Sequence, residues 1–86
     1  MRVEYSDRYL KSASRLPAKI IALADAKEAL FRESPFHPSL NTHKLHGKEK
    51  EVWAFSVNRA YRIKFLFLKN GAVLFLDIGT HDNVYL

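Results

Sequence analysis

The apolar positions of this chain change their period part-way along it. Up to about Glu33 they recur every three or four residues, and from Val52 onward they alternate with polar ones. Val3 and Tyr5, alternating with Arg2 and Glu4, predict a short first strand with its apolar side inward. Ser6 then offers an N-cap oxygen, and Asp7 a negative charge, to the first turn of a short helix running to about Ser14. Tyr9, Leu10 and Ala13 form its apolar stripe. Leu16-Pro17 breaks it, and proline suits the first position of a new helix because its missing N–H had no partner there. From Pro17 to about Glu33, Ile20, Ile21, Leu23, Ala24, Leu30 and Phe31 keep helical spacing, while the charged residues fall largely outside that stripe. The expectation is an antiparallel helical hairpin. Ser34-Pro35-Phe36-His37-Pro38 ends it, since proline cannot continue the ladder, and a loop follows to about Thr42.

Three alternating segments then predict three strands of a half-buried sheet: Val52–Val57, Tyr61–Leu68 and Ala72–Ile78. Asn70-Gly71 is a strong hairpin signal, because a two-residue type I′ turn needs positive φ at both central residues. That turn would pair Phe67 with Leu74, Phe65 with Leu76 and Ile63 with Ile78 on one face. On the other, Leu66 would meet Phe75, Lys64 would meet Asp77 and Arg62 would meet Gly79. In the preceding hairpin a two-residue turn would put Trp53 and Phe55 on the face of Arg62 and Lys64. A three-residue loop, Asn58-Arg59-Ala60, is therefore expected, with Ser56 opposite Arg62. The fold class is thus α+β: an N-terminal strand, a helical hairpin, and a mainly antiparallel sheet of three to four strands.

Composition narrows what such a fold can do. The 86 residues predict one domain, spanning 1–86, with no repeat, linker or low-complexity segment. At this size folding hides only about 60% of the surface of the unfolded chain, so a buried substrate tunnel is not expected. The absence of cysteine excludes disulfides, Cys-ligated zinc and a thiol nucleophile, and it fits a reducing compartment. No apolar h-region follows the N-terminus, and no stretch approaches the roughly 20 apolar residues of a membrane helix. The expectation is a soluble, cytoplasmic protein without a membrane partner. Lys and Arg number 14 against 9 Asp and Glu, for a formal +5, which suggests an anionic partner. Most of that excess falls between His43 and Lys64, where six positive residues face two negative ones, while the helices are nearly balanced.

Arg62 stands out because it is in mid-strand, where a half-covered guanidinium wants an anion or an acceptor fork. The plain alternative is a structural salt bridge, with Asp77 assigned to Lys64. Since Arg62 pairs with Gly79, His81 should emerge past the same sheet edge. A histidine and an arginine on one rim can combine proton transfer with stabilisation of a phosphate. His81 has its own plain reading, packing against Tyr85. His37, between two prolines, receives no role, and the histidine spacings do not suit zinc. Neither a metal nor another cofactor is expected.

The segments His43-x-Leu45-x-Gly47, Trp53-x-Phe55-x-Val57-x-x-x-Tyr61-Arg62-Ile63 and Gly79-Thr80-His81-Asp82-x-Val84-Tyr85, in this order behind a strand and a helical hairpin, resemble the RelE/ParE superfamily of bacterial toxins, and within it the RelE/YafQ-like branch. The likeness spans essentially the whole chain. It implies the toxin of a type II toxin–antitoxin system: a ribosome-dependent mRNA endoribonuclease, held inactive by a cognate antitoxin. Its implied partners are that antitoxin and mRNA on the ribosome. By the same resemblance Arg62 matches the strand arginine at the scissile phosphate, His81 the C-terminal acid/base histidine, and His43 a further histidine of the branch. Lys44, His46, Lys48, Lys50 and Lys64 become candidate RNA contacts. Positions that carry a histidine and an aspartate in YafQ-like toxins are Ser56 and Ala60 here, and the basic residue implied four before the last histidine is Asp77. The alternatives are a non-enzymatic gyrase inhibitor like the ParE branch, or a degenerate toxin that only binds its antitoxin.

Overall fold

A computed structural model describes residues 1–47 and 51–81 of the chain. Strand β1 (Val3–Tyr5) leads into helix α1 (Asp7–Ala13), and helix α2 (Ala18–Glu33) follows a tight turn. Ser6 does two jobs at the first junction. Its Oγ accepts the Tyr9 N–H at 2.9 Å, capping α1, and donates to the Leu76 carbonyl at 2.8 Å. Pro17 takes the N-cap position of α2 rather than its first helical position. Past the prolines the chain makes one 3-10 turn, Pro38–Leu40, which drops Leu40 fully into the core.

Four further strands complete the sheet: β2 (His43–Lys44), β3 (Val52–Ser56), β4 (Tyr61–Phe67) and β5 (Val73–Thr80). Their order is β1-β5-β4-β3-β2, five strands among the described residues where three to four were expected. The additional one is β2, two residues long, antiparallel to β3. The β1–β5 pair is the parallel one. Both helices pack on one face. There Phe31 of α2 stacks on Phe55, with centroids 4.6 Å apart, and meets Phe65 and Phe75 edge-on. On the hairpin the expected stripes are only partly covered, since Leu10 and Ile21 remain exposed.

The two hairpins differ in how well their turns were read. Between β3 and β4 the loop is Asn58-Arg59-Ala60, closed by the Val57 N–H on the Tyr61 carbonyl, and Ser56 lies opposite Arg62 as expected. Between β4 and β5 the two-residue turn is overturned. Leu68 N–H bonds Ala72 O at 2.8 Å across a three-residue loop, with Gly71 at φ 84° in the left-handed conformation that glycine tolerates. Phe67 therefore faces Val73, Leu66 faces Leu74, and Phe65 faces Phe75. Val73 and Phe75 take the helix-facing positions expected for Leu74 and Leu76. A β-bulge between Lys64 and Phe65 then absorbs one extra residue of β5. Beyond it the pairs Lys64 with Asp77, Ile63 with Ile78 and Arg62 with Gly79 stand as expected.

Candidate functional site

Residues directly opposite each other in a sheet share a face, so the register builds the site in rows. One row runs His43, Ala54, Lys64, Asp77, and the next runs Ser56, Arg62, Gly79. With strands about 4.8 Å apart, the Cα atoms of His43 and Lys64 lie about 10 Å from each other, with only an alanine between them.

The β3–β4 loop holds the two principal candidates. Arg62 Nη1 donates to the carbonyls of Asn58 at 2.6 Å, Arg59 at 3.1 Å and Tyr61 at 3.1 Å. These bonds fix the guanidinium against the loop. Its Nε is buried and has no hydrogen-bond partner among the described residues. A buried, unsatisfied donor of this kind is costly, on the order of 1–3 kcal/mol. On the other side of the loop, the His81 N–H donates to Ala60 O at 2.8 Å. The same three-residue loop thus anchors the side chain of Arg62 and the backbone of His81. Asn58 keeps the loop in shape by accepting the N–H groups of Ala60 and Tyr61 on its Oδ1.

His43 is oriented from outside the sheet. Its Nδ1 lies 2.8 Å from the Asn41 carbonyl, which can only accept, so the ring donates there and a neutral imidazole carries its basic lone pair on Nε2. Asn41 itself sits in the left-handed region, at φ 49°. Asp77 does not play the part assigned to it. Its carboxylate is engaged by Arg8 Nε at 3.2 Å, by Ser12 Oγ at 2.6 Å and by the Ile78 N–H at 2.9 Å, so it ties α1 to β5. Lys44 departs further from expectation: it pairs with Trp53, hence shares the opposite face from Arg62, and its ammonium lies 3.4 Å from Glu51. His46 is exposed just beyond β2. Lys48 and Lys50 lie outside the described residues, as does Tyr85, the packing partner suggested for His81.

Solved structures of bacterial toxins share this fold. YafQ from E. coli strain BL21(DE3) superposes with a TM-score of 0.81 at 16% identity, covering 100% of both chains. A YoeB/ParE toxin from Agrobacterium tumefaciens gives 0.78 at 12% identity over 94% of this chain and 99% of its own. The E. coli DinJ-YafQ toxin-antitoxin complex gives 0.79 at 19% identity over 98% and 96%. The fold is that of the RelE/ParE toxins. No family model and no curated protein matches the chain by sequence.

Within this RelE-like fold, sequence reasoning missed one basic feature. Arg8, Lys11 and Arg15 line a groove of about 530 Å³ between α1 and β5, together with Ser12, Asp77, Ile78 and Gly79. Their spacing of i, i+3 and i+7 was the available signal, since it sets all three on one side of a helix. A net tally of helix charge cannot reveal it.

Proposed function

We propose that this chain is the toxin of a type II toxin–antitoxin pair and acts as a ribosome-dependent mRNA endoribonuclease. The observation that carries the reading is the β3–β4 loop, which anchors the Arg62 guanidinium and the His81 backbone at once. RNA brings its own nucleophile. The 2′-oxygen forms a bond to the adjacent phosphorus, the bond to the 5′-oxygen breaks, and the products are a cyclic phosphate and a free 5′-hydroxyl. The protein supplies alignment, an acceptor for the 2′-hydroxyl proton, a donor to the departing 5′-oxygen, and positive charge at the pentacovalent centre.

In this reading the positive charge of Arg62, held in place by the loop carbonyls, stabilises the transition-state phosphate. His81 transfers one proton. His43, with its Nδ1–H committed to Asn41, offers Nε2 for the second, or His46 serves there. Lys64 holds a flanking phosphate, joined by Lys48 and Lys50, while Lys44 on the other face drops out of the set. No cofactor is required. The DinJ-YafQ complex, which has this fold, supports an antitoxin as the partner.

The test is induced expression with mapping of mRNA ends on ribosomes, comparing the unaltered chain with His81→Ala and Arg62→Ala. Each substitution is expected to lower cleavage about a hundredfold or more and to relieve growth arrest. Arrest that persists with either folded variant would remove these residues from the site. A second reading, a non-enzymatic gyrase inhibitor, draws on Ser56, Ala60 and the engagement of Asp77 by Arg8. Gyrase inhibition in vitro without mRNA cleavage would choose it.

A further inference from the structure

We propose that the groove between α1 and β5 extends the RNA-binding surface, with Arg8, Lys11 and Arg15 holding backbone phosphates of the strand whose scissile phosphate lies at Arg62. The inference rests on the endoribonuclease reading and adds to it a path for the substrate. Three exposed basic side chains at i, i+3 and i+7 occupy one side of α1 and the turn after it, a span of about 10 Å at 1.5 Å per residue. The groove lies beside the site: Gly79, which lines it, is the residue opposite Arg62 on the neighbouring strand. Among the described residues of the lining the carboxylate is Asp77; it pairs with Arg8 and accepts the Ser12 hydroxyl and a backbone N–H, which leaves Lys11 and Arg15 as the net positive charge.

The lining also selects the kind of polymer. Among the described residues of the lining Ile78 is the apolar one, and it is only 3% exposed, so an amphipathic peptide would find little to anchor on there. Exposed Leu10 and Ile21 instead border a separate depression between α1 and α2. A polyanion that needs cations at intervals and little apolar contact is a nucleic-acid backbone, and the link to Arg62 makes it the substrate RNA.

The experiment measures binding of the full chain to a short single-stranded 2′-O-methyl RNA, which lacks the nucleophile and stays intact, across a series of salt concentrations. Lys11→Gln/Arg15→Gln is compared with Lys19→Gln/Lys69→Gln, which removes the same charge from exposed positions outside the groove. Arg8 is left in place because it holds Asp77. Removing two phosphate contacts should lower the slope of log K against log salt by about 1.4 and weaken binding about tenfold or more at 0.1 M salt. The control pair should keep the unaltered slope. An unchanged slope in the groove variant overturns the proposal, as does failure of the unaltered chain to bind. Loss of antitoxin binding with RNA binding intact also overturns it, making the groove a protein surface. Ribosomal cleavage with Arg62→Ala and His81→Ala separates the two claims: if cleavage needs both residues while the groove variant binds normally, only the groove assignment fails.

Discussion

At Tyr9 the phenol ring is 7% exposed, stacked on Tyr5 and edge-on to Phe75. Burial disfavours the phenolate first, and the negative charges of Glu28, Tyr5 and Asp25 add to it, so the folded pKa lies above the free value of 10.0. A raised pKa leaves stability intact below about pH 10 and withdraws it as the pH climbs further, because only the unfolded chain can then ionise freely. Tyr9→Phe should therefore unfold in denaturant at nearly the same concentration at about pH 8 and about pH 11, whereas the unaltered chain loses ground at the higher value. An equal alkaline loss in both would rule out Tyr9 as its source. Tyr5, raised by burial and by its bond to Glu28, supplies a residual effect. Of the site residues, Arg62 was legible as a strand cation, and the structure sets it second in β4, beside the loop. Its bonds to the loop carbonyls were not, because they depend on where a three-residue loop folds its peptide groups.

Between elements, Asp77 is the joint that links α1 to β5, and its side chain is 15% exposed. Asp77→Asn removes the ion pair with Arg8 but keeps an acceptor for Ser12, and should lose about 1 kcal/mol. Asp77→Ala loses both and should lose about 2 kcal/mol. Hydrogen exchange should rise in α1 before it rises in β4, and equal exchange across both would place the joint elsewhere. The alternating pattern made each long strand legible, and the Ser6 cap and the Leu16-Pro17 break marked where the two helices begin. Pairing was another matter. Asn70-Gly71 suits a two-residue turn, but the chain makes a three-residue loop and then a bulge at Leu76, and these two shifts cancel by Arg62. A parity argument made from either end alone cannot detect such a pair of shifts. Three-residue β1 and two-residue β2 carry too few alternating positions to name their neighbours. The basic side of α1 escaped for a different reason: charge was counted along the chain, whereas a groove gathers residues by helical turn and by what packs beside them.

For the molecule as a whole, the helix-facing side and the charged side of one sheet divide the work, and the first of these depends on few residues. A chain of 86 residues has total stability near the lower part of the usual 5–15 kcal/mol range, with little surface to hide. Phe31 is the side chain through which α2 reaches the sheet, fully buried, with ring centroids 4.6 Å from Phe55, 4.9 Å from Phe65 and 5.8 Å from Phe75. Phe31→Ala removes those ring contacts and leaves a void among three other phenylalanines that are themselves fixed by strand pairing. Such a truncation costs about 3–5 kcal/mol. At about 4–8 °C per kcal/mol for a domain of this size, the melting temperature should fall by on the order of 20 °C. Phe31→Leu, which refills most of the volume, should recover more than half of that fall in the same thermal melt. Loss of only a few degrees with alanine would mean that α2 is held mainly elsewhere, along Ala24 or through the Arg32–Glu28–Tyr5 contacts at its end. The large drop is expected because those contacts are exposed, and exposed ion pairs contribute less than about 1 kcal/mol each.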